Sequence, residues 1–256
     1  MADTQEITEA VCVHTRKIYD SCRDKDCMED LRIYPTASSQ PYIESAFSVR
    51  PAAATLLYAD VQVDEISFNR GYYTVDVTYF YDVAGTTFPG ENSVRGLCVF
   101  NKRVMLFGSE GSAKIYASDG SCSDSATQPV AVAECVDPIV LNMKLVDACP
   151  TGLAAEIRDI PAAILARFGE DLVVNDGVRI LMCTLGQFSI IRLERDSQLV
   201  VPVYDYCLPD KECVPGDQDD PCTMFTRIRF PVEEFFPPDS IERTDDYKSA
   251  KLNTES

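Results

Sequence analysis

The run YYTVDVTYFYDV, residues 72–83, constrains the fold more than any other stretch of this chain. β-branched and aromatic side chains occupy both of its alternating faces, so it reads as a strand with apolar contacts on two sides. Period-two patterning also starts at Asp60, with Val61 and Val63, and resumes at Ile66 and Phe68 after two charges, which predicts a bulge. LCVFNKRVMLF, residues 97–107, predicts a hairpin turning near Asn101 and Lys102. Short strands are expected at 114–117, 130–133 and 139–146, then at 178–185, 188–194 and 199–206. Pro202 makes the last of these an edge or a bulged strand. Residues 160–168, IPAAILARF, read as a helix with Asp159 as N-cap, Pro161 in its first turn and Gly169 as its stop. Asp3 with Glu6 can cap a second short helix running toward Val11. The fold class that follows is mainly β, with antiparallel sandwich-like domains, a short helix and an ordered N-terminal cysteine-rich segment.

RGLCVFNKRVMLF from Arg95 and RILMCTLGQFSII from Arg179 echo one another. Each has an arginine, an apolar run with a cysteine, a polar turn and a second apolar run. The echo is either a duplicated hairpin or a chance similarity of two hydrophobic hairpins. If duplicated, it supports two β domains, and the chain divides into an N-terminal clasp (1–34), a β domain (35–150), a second β domain with the helix (151–238) and a polar tail (239–256).

The chain carries eleven cysteines, one histidine and a net charge of −18. Such acidity disfavours nucleic acid and anionic membranes, which need Lys/Arg stripes. MADTQEITEA has neither a basic n-region nor an apolar h-region, and no apolar run reaches transmembrane length, so synthesis in a cytoplasm is expected. Eleven thiols are unusual there, because cytosolic thiols stay reduced. Cys98 and Cys183 sit in apolar strands and read as core; Cys135 and Cys149 are ambiguous. Cys22, Cys27, Cys122, Cys207, Cys213 and Cys222 lie in charged or Gly/Pro/Asp-rich surroundings and are the cross-linking candidates. Tyr19, Tyr34, Phe235 and Phe236 are the aromatic contact candidates, Phe235 and Phe236 reading first as a strand end packed on the core.

His14 alone cannot furnish the usual acid–base arrangements, so no catalytic residue is assigned and no enzyme is expected. No CxxC knuckle occurs, and the acidic loop with Asp217, Asp219 and Asp220 lacks EF-hand spacing, so no metal site or cofactor is assigned.

The segment from Val11 to Tyr34 mixes alternating charges with Ile18, Tyr19, Leu31, Ile33 and Tyr34, which favour burial, and so reads as an ordered clasp against another surface. Through Lys17, Tyr19, Asp20, Cys22, Asp24, Lys25, Asp26 and Cys27 it resembles cysteine-rich proteins of clostridial spore formers, found in the spore coat and exosporium. The resemblance implies a structural protein made in the mother-cell cytoplasm, assembled on the spore surface with itself and other surface proteins, and hardened by disulfides. The alternative is a cytoplasmic cysteine-based metal-binding or redox-sensing protein.

Overall fold

The computed structural model describes residues 12–110, 115–116, 122–123, 128–147, 160–174, 178–200, 225, 228 and 230–235. In chain order the elements are β1 (Cys12–Pro35), α1 (Gln40–Ser45), β2 (Ser48–Glu65), β3 (Tyr72–Phe88), β4 (Ser93–Phe107), β5 (Ile115–Tyr116), β6 (Cys122–Ser123), β7 (Val130–Cys135), β8 (Ile139–Asp147), α2 (Ala162–Phe168), β9 (Arg179–Val200) and α3 (Val232–Phe235). Seven strands make one antiparallel sheet in the order β2-β3-β4-β1-β9-β7, with β8 also on β9; β5 and β6 pair separately. β2 packs back along β7 and β8, where Leu56 N–H donates to the Asp137 carboxylate at 2.8 Å. The sheet therefore curls into a nearly closed barrel, and the mainly antiparallel β expectation holds.

The sandwich-like pair of domains gives way to this single sheet. β9, assigned from sequence to the second unit, pairs with β1, β7 and β8 of the first two segments. The N-terminal clasp is in fact the long interior strand β1, whose partner runs from Cys12↔Val200 to Ile33↔Leu181. Neither expected hairpin of the echo turns. β4 and β9 each run straight through their polar centres, because Lys102 finds carboxylate partners indoors and Gly186 leaves room for a ring. A Cβ at Gly186 would lie 2.7 Å from Phe225, so the strand continues under that aromatic ring. The expected bulge near Asp64 is instead the end of β2. A turn follows, closed by Ile66 N–H to Tyr72 carbonyl and Asn69 N–H to Ile66 carbonyl. The bulges of β2 fall at Pro51/Ala53 and Leu56/Tyr58.

β3 shows why its sequence is apolar on both faces. Tyr73, Val75, Val77, Tyr79, Tyr81 and Val83 point into the barrel core. Phe80 points outward but is covered by α2, whose Ile164 and Phe168 pack with Tyr34 and Leu97. Burial of these apolar surfaces is the main stabilising force on the sheet. α2 ends at Gly169, φ 70°, a left-handed position that glycine adopts without strain. A third apolar group of Phe188, Ile190, Phe225 and Phe230 lies on the outer face of β9. The expected 1–11 helix, the 199–206 strand beyond Val200 and the 239–256 tail lie outside the described residues.

Candidate assembly surface and cysteine sites

Alternation along β1 sorts its side chains before any chemistry is considered. No register shift interrupts the ladder between Asp20 and Met28, so Cys22 and Met28 share the inward face while Cys27 points out. Cys22 is 3% exposed and belongs to the barrel core. The reading of Cys22 as a loop thiol is thereby corrected: charged neighbours do not make a loop when every second residue faces solvent. Cys27 packs against the outer Phe188/Phe225 group and is disulfide-bonded. Cys122 lies on β6, paired with Tyr116. Cys207, Cys213 and Cys222 lie outside the described residues.

The aromatic contact candidates divide similarly. Tyr34 is buried under α2 with the Arg32 guanidinium 4.9 Å from its ring centre, so its reading as a contact residue is corrected. Phe235 stacks on Phe230 with centroids 5.0 Å apart, which makes it part of the outer apolar group. Tyr19 is half-buried beneath Lys17, at 5.0 Å. Phe236 lies outside the described residues. His14 is exposed on β1, opposite Gln198.

The exposed apolar residues that the structure does present lie elsewhere. Phe68, 92% exposed, projects from the turn between β2 and β3, near Met105 and Phe107 at the end of β4. At the opposite end of the same hairpin stand Phe47, 78% exposed, and Phe88, joined by Phe47 N–H to Phe88 carbonyl. Val178, 73% exposed, adjoins them, because the neighbouring Arg179 guanidinium donates to the Ala46 carbonyl. The 17 residues of β3 separate the two patches by roughly 50 Å at about 3.3 Å per residue. A signal for both was present in sequence: each phenylalanine sits among turn formers, in SFNRG and FPGEN, where a core residue is out of place.

Between these ends the barrel has a charged seam that sequence reasoning missed. β1 and β4 share a ladder over only three pairs, Ile33↔Cys98, Tyr34↔Leu97 and Pro35↔Gly96. Beyond it the strands part, and side chains cross the gap. Lys102 Nζ donates to Asp24 and, at 2.7 Å, to Asp26; Phe107 N–H donates to the Asp20 carboxylate at 3.1 Å. Lys102 and both carboxylates are largely buried. Burial raises the Asp26 pKa to about 6, with Asp24 adding to the rise and Lys102 opposing it. Burial acts against the Lys102 ammonium, but the two carboxylates outweigh it and hold its pKa above the ordinary lysine value. One cation serves two anions, so the site retains a negative charge that a proton on Asp26 removes.

Deeper in, Tyr81 Oη donates to Gln187 Oε1, while Tyr79 Oη, Gln187 Nε2 and Ser189 Oγ find no hydrogen bond of good geometry among the described residues. Burial drives both tyrosine hydroxyls well above their ordinary pKa and pushes the Cys135 thiol up to about 11. A thiol so protonated is a poor nucleophile near neutrality. Among the described residues no three His, Cys, Asp or Glu side chains converge as a metal site, and no helix is long and apolar enough to cross a membrane.

No family model matches the chain, and no solved structure matches it. It is 25% identical over 264 residues to exosporium protein A of Clostridium sporogenes (strain ATCC 15579), across 96% of this chain and 79% of that protein. A clostridial exosporium protein is thus what this chain is similar to along nearly its whole length.

Proposed function

We propose that the chain is a structural protein of the bacterial spore surface, in the coat or exosporium, which self-associates and is reinforced by intermolecular disulfides. The observation that carries this reading is the likeness to exosporium protein A over 96% of the chain. On this reading the protein has no catalytic role and is made in the mother-cell cytoplasm.

The geometry supports the self-association. Apolar patches at opposite ends of one rigid hairpin favour head-to-tail contacts, and such contacts propagate rather than close on a dimer. Burying several exposed aromatics per contact supplies the attraction, while the net charge of −18 makes assembly stronger as salt screens the repulsion. With Cys22 in the core and Cys27 held in a disulfide, the links between copies fall to those of Cys122, Cys207, Cys213 and Cys222 that Cys27 does not use.

The test is negative-stain microscopy of the purified chain over a range of concentration and salt, with non-reducing and reducing gels of the same samples. Extended assemblies and a ladder that collapses with reductant are expected. Phe47→Ser with Phe68→Ser should abolish the assemblies and leave the unfolding midpoint unchanged. A chain that stays monomeric at every concentration, with no ladder after oxidation, contradicts the proposal.

A further inference from the structure

The two segments that echo one another in sequence meet inside the barrel. Cys98 of β4 and Cys183 of β9 lie on either side of β1, which pairs with both strands. Their side chains lean across it on the inner face, and their sulfur atoms are 3.9 Å apart, the Cys183 thiol donating to Cys98. Both are reduced and essentially without solvent exposure. Among the described residues β4 and β9 are linked by no ladder of their own. The ladder between β1 and β4 is three pairs long, continued just past β1 by Thr36 N–H to the Arg95 carbonyl, and Cys98 stands on its open end, where the strands part.

We infer that Cys98 and Cys183 are a redox modification site, a latent internal disulfide that ties β4 to β9 across the shortest ladder of the seven-stranded sheet. The sulfurs must close from 3.9 Å to about 2.05 Å. That movement is available at the mouth of the fork, where few backbone bonds resist it. Opening of the short ladder also admits a small oxidant to thiols that are otherwise sealed. The hydrogen bond between the thiols, together with burial, holds the Cys98 thiol well above its ordinary pKa in the closed barrel, so the reaction starts from the opened ladder. With hydrogen peroxide as oxidant, one thiolate attacks a peroxide oxygen, releasing water after proton uptake and leaving a sulfenic acid. The second thiol attacks that sulfur and displaces another water. Two S–H bonds and one O–O bond are lost, one S–S bond forms, and two thiols plus one peroxide give one disulfide plus two waters. The bond encloses a sequence separation of 85 residues, so it restricts the unfolded chain strongly. This site is internal and stands independently of any bond between copies.

The experiment uses the full reduced chain, exposed to dilute hydrogen peroxide, quenched with N-ethylmaleimide and digested with trypsin without reductant. Peptides 96–102 (GLCVFNK) and 180–192 (ILMCTLGQFSIIR) should appear joined in the oxidised sample, and separate after dithiothreitol. Oxidised monomer should unfold in urea on the order of tenfold more slowly than reduced monomer, with the difference abolished in Cys183→Ala. If both peptides carry maleimide or individually over-oxidised sulfur while the protein is still folded, the inference is wrong. Joining of either peptide mainly to other cysteines overturns it as well. Because the readout is an internal link in a monomer, it is unaffected by whether copies assemble.

Discussion

Replacing Asp26 by asparagine tests the charged seam directly. In the folded chain Asp26 binds its proton with a pKa of about 6, against an ordinary carboxylate value of 3.8. The gap corresponds to about 3 kcal/mol, and the side chain is only 17% exposed, so solvent does little to screen it. The sign follows from proton binding. Between 3.8 and about 6 the folded state holds the proton that the unfolded state releases. The contribution of Asp26 to stability is therefore fully present below pH 3.8, declines as pH rises, and is lost above about 6. Asp26→Asn cannot titrate, and its amide oxygen can still accept from Lys102, which then faces the single anion Asp24. Urea unfolding followed by far-UV circular dichroism at several pH values from 4 to 8 measures both proteins. Relative to wild type, the variant should gain about 2–3 kcal/mol on going from pH 4 to pH 8. Parallel stability curves would falsify the claim that burial beside Asp24 raises the pKa of this carboxylate in the folded chain.

Three further substitutions probe other parts of the barrel. Lys102→Met removes the cation between Asp24 and Asp26 and should lower stability by about 3–5 kcal/mol at neutral pH; a loss below about 1 kcal/mol in urea unfolding refutes the burial argument. Gly186→Val puts a Cβ 2.7 Å from the Phe225 ring, costing about 1–3 kcal/mol and altering the near-ultraviolet aromatic signal. Phe168→Ala empties the contact of α2 with Tyr34, Phe80 and Leu97. It should cost about 3 kcal/mol and make the α2 segment cleavable by protease at concentrations that spare the sheet.

Local rules read well where one residue type has one use. The alternation of residues 72–83 marked β3, and Pro161 with Gly169 bracketed α2. They failed where a partner distant in sequence decides the outcome. Asn101 and Lys102 look like a turn until Asp24 and Asp26, 78 and 76 residues from Lys102, are seen to hold it inside. Gly186 looks like a break until Phe225 fills the space above it. Cys22 and Cys27 look like one cluster, yet an odd separation in an unbroken strand sends them to opposite faces. The charges of β1 concealed a strand because a barrel wall can be polar on its outer side and hold Asp24 and Asp26 against Lys102 on its inner one. Tyr34, taken as a contact residue, met apolar neighbours of its own chain, and Phe235 packs on its own chain as its first reading had it, though from a short helix rather than a strand end.

The pairing of Cys12 with Val200 sets how the molecule answers a mechanical load. The chain enters β1 and leaves β9 at the same corner, so a tension applied between those two points separates adjacent strand ends. Such a pull peels the ladder pair by pair, with only one rung resisting at any moment. A pull between the Phe68 tip and the Phe47 end instead runs along the backbone of β2, which is already extended between them, and separates no rung. A sheet of these molecules would be tough along the barrel axis and would yield first at that corner.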